Sequence, residues 1–196
     1  MKLAQRRKSS RRGSYRGFTI VELLIVIVVI GILAAIVIVA YNGVQKSAQQ
    51  SAIYSEMKQW QKLFAGYKAL NGSYPSPSPG GNPLTDGGPG TSALYMYCLG
   101  TGFPNSACFW NATGTIYTVA ESTGASLISQ LSAVGHPPLN STKYVYDTYG
   151  VGPYLQYSSM TTMYIQGVFP GGTTCPSGTT TGYTNTNRVH CYITLN

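Results

Sequence analysis

Glu22 is a single carboxylate at the head of eighteen consecutive apolar residues, Leu23 to Ala40. Inside hydrocarbon a carboxylate is disfavoured, so it must either stay at an interface or acquire a positive partner. The other groups able to do chemistry are four cysteines, Cys98, Cys108, Cys175 and Cys191. An even number of thiols in an oxidising compartment reads as two disulfides. Three pairings are open, and cheap closure of short loops favours Cys98–Cys108 with Cys175–Cys191. No Cys-x-x-Cys or paired-histidine spacing supports zinc. His136 and His190 stand isolated, and no Ser–His–Asp set or phosphate-binding glycine loop occurs. The residues point to charge pairing and disulfide chemistry, with no metal, no cofactor and no enzyme activity expected.

The elements that position these groups follow from charge and hydropathy. The net charge of +8 suggests nucleic acid or a membrane surface. Its distribution says otherwise. Seven of the thirteen basic residues (Lys2, Arg6, Arg7, Lys8, Arg11, Arg12 and Arg16) lie in residues 1–17, and the remainder carries only +1. Nucleic-acid binding is therefore not expected, because phosphate contacts need clustered cations. Eighteen apolar residues suffice to span a bilayer. The basic head places residues 1–17 in the cytoplasm and the chain beyond Tyr41 outside. A cleaved secretory signal would have a shorter apolar core and a small-x-small site, which Ile38-Val39-Ala40 does not supply. Arg11-Arg12 is not followed closely by apolar residues, against a twin-arginine reading.

Beyond Tyr41 polarity rises, yet the first proline is Pro75. Ile53, Met57, Trp60, Phe64 and Tyr67 recur at spacings of four and three, on one helix face. A helix over 18–70 is predicted, with 18–41 as its membrane part and Asn71-Gly72 as its stop. Gly31, Gly43 and Gly66 are its weak points. Residues 71–93 are rich in Pro, Gly and Ser and read as a loop. Over 94–196, β-prone runs are predicted at 94–99, 107–111, 115–120, 143–147, 154–157, 163–169 and 189–195. Ala112-Thr113-Gly114 reads as a turn and residues 127–134 as a short helix. The architecture expected is α+β, one long helix packed on an antiparallel sheet.

Arg16-Gly17-Phe18-Thr19-Ile20-Val21-Glu22-Leu23-Leu24, followed by the apolar run, resembles the class III signal of type IV pilins and their pseudopilin relatives. The resemblance is strong over residues 16–41 and elsewhere is one of plan. It implies that a prepilin peptidase cuts between Gly17 and Phe18, releasing residues 1–17 as a leader, and that Phe18 becomes an N-methylated terminus. Gly17, lacking a side chain, would let that bond enter a protease site with little hindrance. The cut would also create the ammonium that Glu22 lacks. Residues 18 and 22 have i,i+4 spacing within one helix. In the family the pairing is with a neighbouring subunit and sets fibre register. Gly31, Ala34 and Ala35 are small enough for close helix packing in a filament core. Many type IV pilins carry a proline in this segment; this chain has none there.

The resemblance implies a membrane-anchored precursor that polymerises into an extracellular type IV pilus for adhesion, motility or DNA uptake. Its partners would be identical or related subunits, the peptidase, a membrane assembly platform and host or surface receptors. The alternatives are a secretion or competence pseudopilin and a surface adhesin that keeps its leader and never polymerises. Fifteen tyrosines follow the leader. They read as strand packing or as an exposed aromatic surface for partners. Asn71, Asn111 and Asn140 head glycosylation sequons that are expected to be coincidental.

Overall fold

A computed structural model of the chain describes residues 17–77, 95–103, 107–110, 118–138, 144–146, 149–157, 162–184 and 186–195. Leader residues 1–16, loop residues 78–93, the turn at 112–114 and the sequons at Asn111 and Asn140 lie outside the described residues. The chain divides into two compact units, Met1–Gly43 and Val44–Asn196.

Helix α1 runs Ile20–Asn71, 52 residues. It ends where the sequence predicts: Gly72 takes φ 78°, and its N–H donates to the carbonyl of Lys68 at 2.8 Å. That left-handed residue closes the helix without the steric penalty a side chain would bring. The Asn71 side chain donates to the Tyr67 carbonyl at 3.0 Å, satisfying another terminal acceptor. In the first unit the apolar side chains of α1 are exposed, from Ile20 through Ile38, so the segment is apolar on every face. By length and composition it can cross a membrane.

In the second unit the same helix becomes one-sided. Ile53, Met57, Trp60 and Phe64 are buried and Tyr67 packs against them half-buried. This stripe lies on a five-stranded antiparallel sheet of order β1-β6-β7-β9-β8. Its strands are β1 (Tyr95–Cys98), β6 (Tyr154–Tyr157), β7 (Met163–Pro170), β8 (Thr180–Thr184) and β9 (Arg188–Leu195). Alternate residues of the central strands (Leu155, Ile165, Phe169, Val189, Ile193 and Leu195) enter the core with the helix. Helix α2 (Ala125–Ser132), led by a 3-10 turn at Glu121–Gly124, adds Leu127 and Leu131. Gly66 has a packing role: a Cβ there would fall 2.8 Å from Val134 Cγ1. Tyr67 donates its hydroxyl to Gln130 of α2 at 3.2 Å.

A second sheet, absent from the sequence reading, has the order β3-β2-β5-β4. It comprises β2 (Ala107–Trp110), β3 (Thr118–Ala120), β4 (Tyr144–Tyr146) and β5 (Tyr149–Val151). It sits with a smaller core of Met96, Cys98, Phe103, Cys108, Val119, Tyr154 and Val168. The architecture is α+β and pilin-like: a long N-terminal helix with an apolar first part, and an antiparallel five-stranded sheet.

Candidate functional site

The candidate site begins three residues before the helix. Gly17, Phe18 and Thr19 are non-helical and exposed, and Phe18 is 85% accessible. Nothing comes within 4 Å of a Cβ placed on Gly17. The Gly17–Phe18 bond is therefore open chain outside the regular hydrogen-bonded structure.

Thr19 and Glu22 form a reciprocal cap. The Thr19 backbone N–H and its hydroxyl each donate to Glu22 Oε2 at 2.8 Å, and the Glu22 N–H donates to Thr19 Oγ1 at 3.2 Å. The Leu23 N–H donates to the Thr19 carbonyl at 3.3 Å. This is a capping box, which satisfies donors that the first helical turn would otherwise leave orphaned. A carboxylate in the first turn also complements the positive end of the helix dipole. Sequence reasoning treated Glu22 as a charge awaiting a cation and missed this partner. The signal was present: Thr-x-x-Glu directly before an apolar run is a helix-start signature.

The small residues Gly31, Ala34 and Ala35 are exposed on α1, and a Cβ on Gly31 would meet nothing within 4 Å.

The cysteines are joined as Cys98–Cys108 and Cys175–Cys191, with Cα separations of 5.5 and 5.7 Å. The first bridge lies in the smaller core, tying β1 to β2. The second ties the segment before β8 to β9. That same segment is held along α1 by donors four residues apart. Lys46 Nζ donates to the Gly171 carbonyl at 3.3 Å, Gln50 Nε2 to Thr174 at 2.5 Å and Tyr54 Oη to Ser177 at 2.7 Å. Lys46, Gln50 and Tyr54 recur at every fourth position of α1. Their i,i+4 spacing was visible, but the distant backbone carbonyls that use it were not.

His190 is buried on β9, and its pKa is pushed down to about 4 by desolvation first and then by the nearby Arg188 charge. It lies 3.4 Å from the Tyr154 hydroxyl, whose own pKa is raised by burial. This is a packed neutral imidazole. Among the described residues no group of three His, Cys, Asp or Glu side chains could hold a metal.

Residues 12–38 match the family model described as the prokaryotic N-terminal methylation motif. Curated relatives include the type II secretion system core protein G of Klebsiella michiganensis, 36% identical over 70 residues, covering 36% of this chain and 49% of that protein. The protein of the same name from Pectobacterium carotovorum subsp. carotovorum is 34% identical over 65 residues, covering 33% and 42%. That from Klebsiella pneumoniae is 32% identical over 65 residues, covering 33% and 46%. The chain thus spans about half the length of the curated relatives it matches, or less. No solved structure matches it.

Proposed function

From a chain that carries the prepilin-type N-terminal methylation motif on a pilin-like α+β architecture, we propose a structural filament subunit made as a membrane-anchored precursor. On this reading a prepilin peptidase cuts between Gly17 and Phe18 on the cytoplasmic side, and Phe18 is N-methylated. The subunit then leaves the membrane to join a filament of its own or related subunits, through an assembly platform.

The observation that carries this reading is a juxtaposition. The open Gly17–Phe18 bond stands immediately before a capped helix start, and behind that start lies a segment apolar on all faces. The capping box gives Glu22 a neutral partner while the leader is attached. The cut converts the Phe18 amide into an ammonium one residue from Thr19, offering Glu22 of the same or a neighbouring chain a charged alternative. Gly31, Ala34 and Ala35 would let neighbouring helices approach closely in the filament core.

The relatives named for the type II secretion system favour the pseudopilin form of this reading. The tyrosine-rich, twice-bridged head favours a surface pilus with adhesive work. The test is to co-produce the chain with a prepilin peptidase and measure the terminal peptide by mass spectrometry. N-methylated Phe18 is the expected result, and an uncut Met1 or Lys2 terminus would overturn the reading. Glu22→Ala should still be processed but give few filaments; wild-type fibre yield from it would remove the pairing role.

A further inference from the structure

The outward face of the five-stranded sheet is covered over one half only. Ile165, Val189, Cys191 and Ile193 point into the core with α1, so their neighbours along β7 and β9 point the other way. Towards β1 and β6 that other face is closed by the smaller core, which takes in Met96, Cys98, Tyr154 and Val168. Towards β9 and β8 it is open. There Tyr164, Gln166, Tyr192 and Thr194 are half-buried, and Thr180 and Tyr183 are exposed.

The open half is built and held from below. The rings of Tyr164 and Tyr192 meet edge to face, with centroids 5.0 Å apart. Tyr183 stands against the ring of His190 at 5.9 Å. Tyr154 donates its hydroxyl to Gln166 Oε1 at 2.7 Å, and Gln166 Nε2 donates to Gln156 Oε1. The amides are thus oriented by a partly buried network rather than left free to rotate. Gly182, on the edge strand, leaves one side of Tyr192 open: a Cβ there would lie 3.5 Å from the Tyr192 ring.

Chemistry selects the occupant. Rings on this face offer apolar π surfaces, while Gln and Thr offer neutral hydrogen bonds. Its formal charge among the described residues is that of Arg188, a single half-buried guanidinium whose charge reaches His190 and Tyr154. Phosphate, nucleic acid and acidic polymers are recognised by clustered cations, which this face lacks. A protein partner would also use tyrosines, and loss of self-association is therefore the rival outcome of the test below. On this face Tyr183 is exposed. Pyranose rings match what remains, because each has apolar C–H faces and a rim of uncharged hydroxyls.

We propose that this Tyr164–Tyr192–Tyr183 face binds an uncharged polysaccharide, stacking sugar C–H faces on the rings and pairing hydroxyls with Gln166, Thr194 and Thr180.

The test uses the full uncut chain in detergent micelles, so its outcome does not depend on cleavage or polymerisation. Retention is measured on insoluble cellulose and chitin, with alginate beads as the anionic comparison. Wild type should be retained on at least one neutral polymer and not on alginate. Tyr164→Ala with Tyr192→Ala should lower retention at least tenfold. Gly182→Val keeps a strand-favouring residue in β8 but covers Tyr192, and should lower it as well. Leu70→Ala, at an exposed position near the end of α1 and outside this face, should bind as wild type. Circular dichroism and intact disulfides establish that the variants fold. The proposal is overturned by no wild-type retention on either neutral polymer, equal retention by the folded double variant, or stronger retention on alginate. It is also overturned if the double variant keeps its polysaccharide binding and instead loses self-association, which would make the face a protein contact.

Discussion

Helix α1 presents two different surfaces to two different surroundings. Over Ile20–Gly43 it is apolar on every side, and its large side chains are exposed. Over Val44–Asn71 the apolar residues contract to a stripe, and that stripe is buried against the sheet. The contrast shows that one secondary structure can be satisfied in two ways. The second half obtains its hydrophobic burial within the chain. The first half shows no such burial among the described residues, and by length and composition it can cross a membrane.

This contrast can be broken by substitution. The largest effect is expected in the second half. Trp60 is fully buried at the centre of the stripe, and Trp60→Ala should destabilise the head by about 3–5 kcal/mol through lost contacts and a cavity. Ile30→Ala in the first half should change head stability by less than about 0.5 kcal/mol, since that side chain is exposed. Thermal unfolding followed by near-UV circular dichroism measures both. Equal effects would erase the distinction.

The next effect is one of pH and also belongs to the head. His190 has a folded pKa of about 4, set by burial, against an unfolded value of about 6.5. Between those values the unfolded chain binds more protons, so stability is complete above pH 6.5 and falls as pH drops towards 4. The loss should reach on the order of 3 kcal/mol, read as a falling Tm of the head across that window. His190→Gln should flatten this dependence. A pH profile unchanged by the substitution would assign the acid sensitivity elsewhere.

The smallest expected effect sharpens the first half. Thr19→Ala removes the cap and should cost about 1 kcal/mol at the helix start. Faster amide exchange at residues 20–23 in micelles, with unchanged head Tm, is the expected result. No change in exchange would mean that the Thr19–Glu22 contacts do not hold the terminus.

Much of this architecture can be read along the chain. The stripe from Ile53 to Phe64 and the stop at Asn71-Gly72 follow from helical period and turn chemistry, and α1 ends there. Strands β6, β7 and β9 come from β-branched and aromatic runs long enough to be distinctive. Strand β8 was missed because Thr180-Thr181-Gly182-Tyr183-Thr184 lies in a Gly/Thr-rich stretch and is exposed throughout, leaving no alternation to read. Its pairing with β9 makes it a strand. The short β5, Tyr149–Val151, has three residues, too few to display a period. At the N-terminus Glu22 stood out at once, but its partner Thr19 was overlooked although the spacing was legible.

What the sequence determined by itself is everything that depends on local order. It placed the basic head, the carboxylate at the start of the apolar run, the spanning length, the helix stop and the even set of cysteines. Period and turn chemistry act between near neighbours, and so they survive in a one-dimensional record. Tertiary structure alone decided that two sheets form instead of one. It also set Lys46, Gln50 and Tyr54 against carbonyls more than 120 residues away, and left half of the main sheet open as a tyrosine face. Those outcomes depend on which distant backbone and side-chain groups meet. That is settled by the shared burial of the core, and no local spacing encodes it.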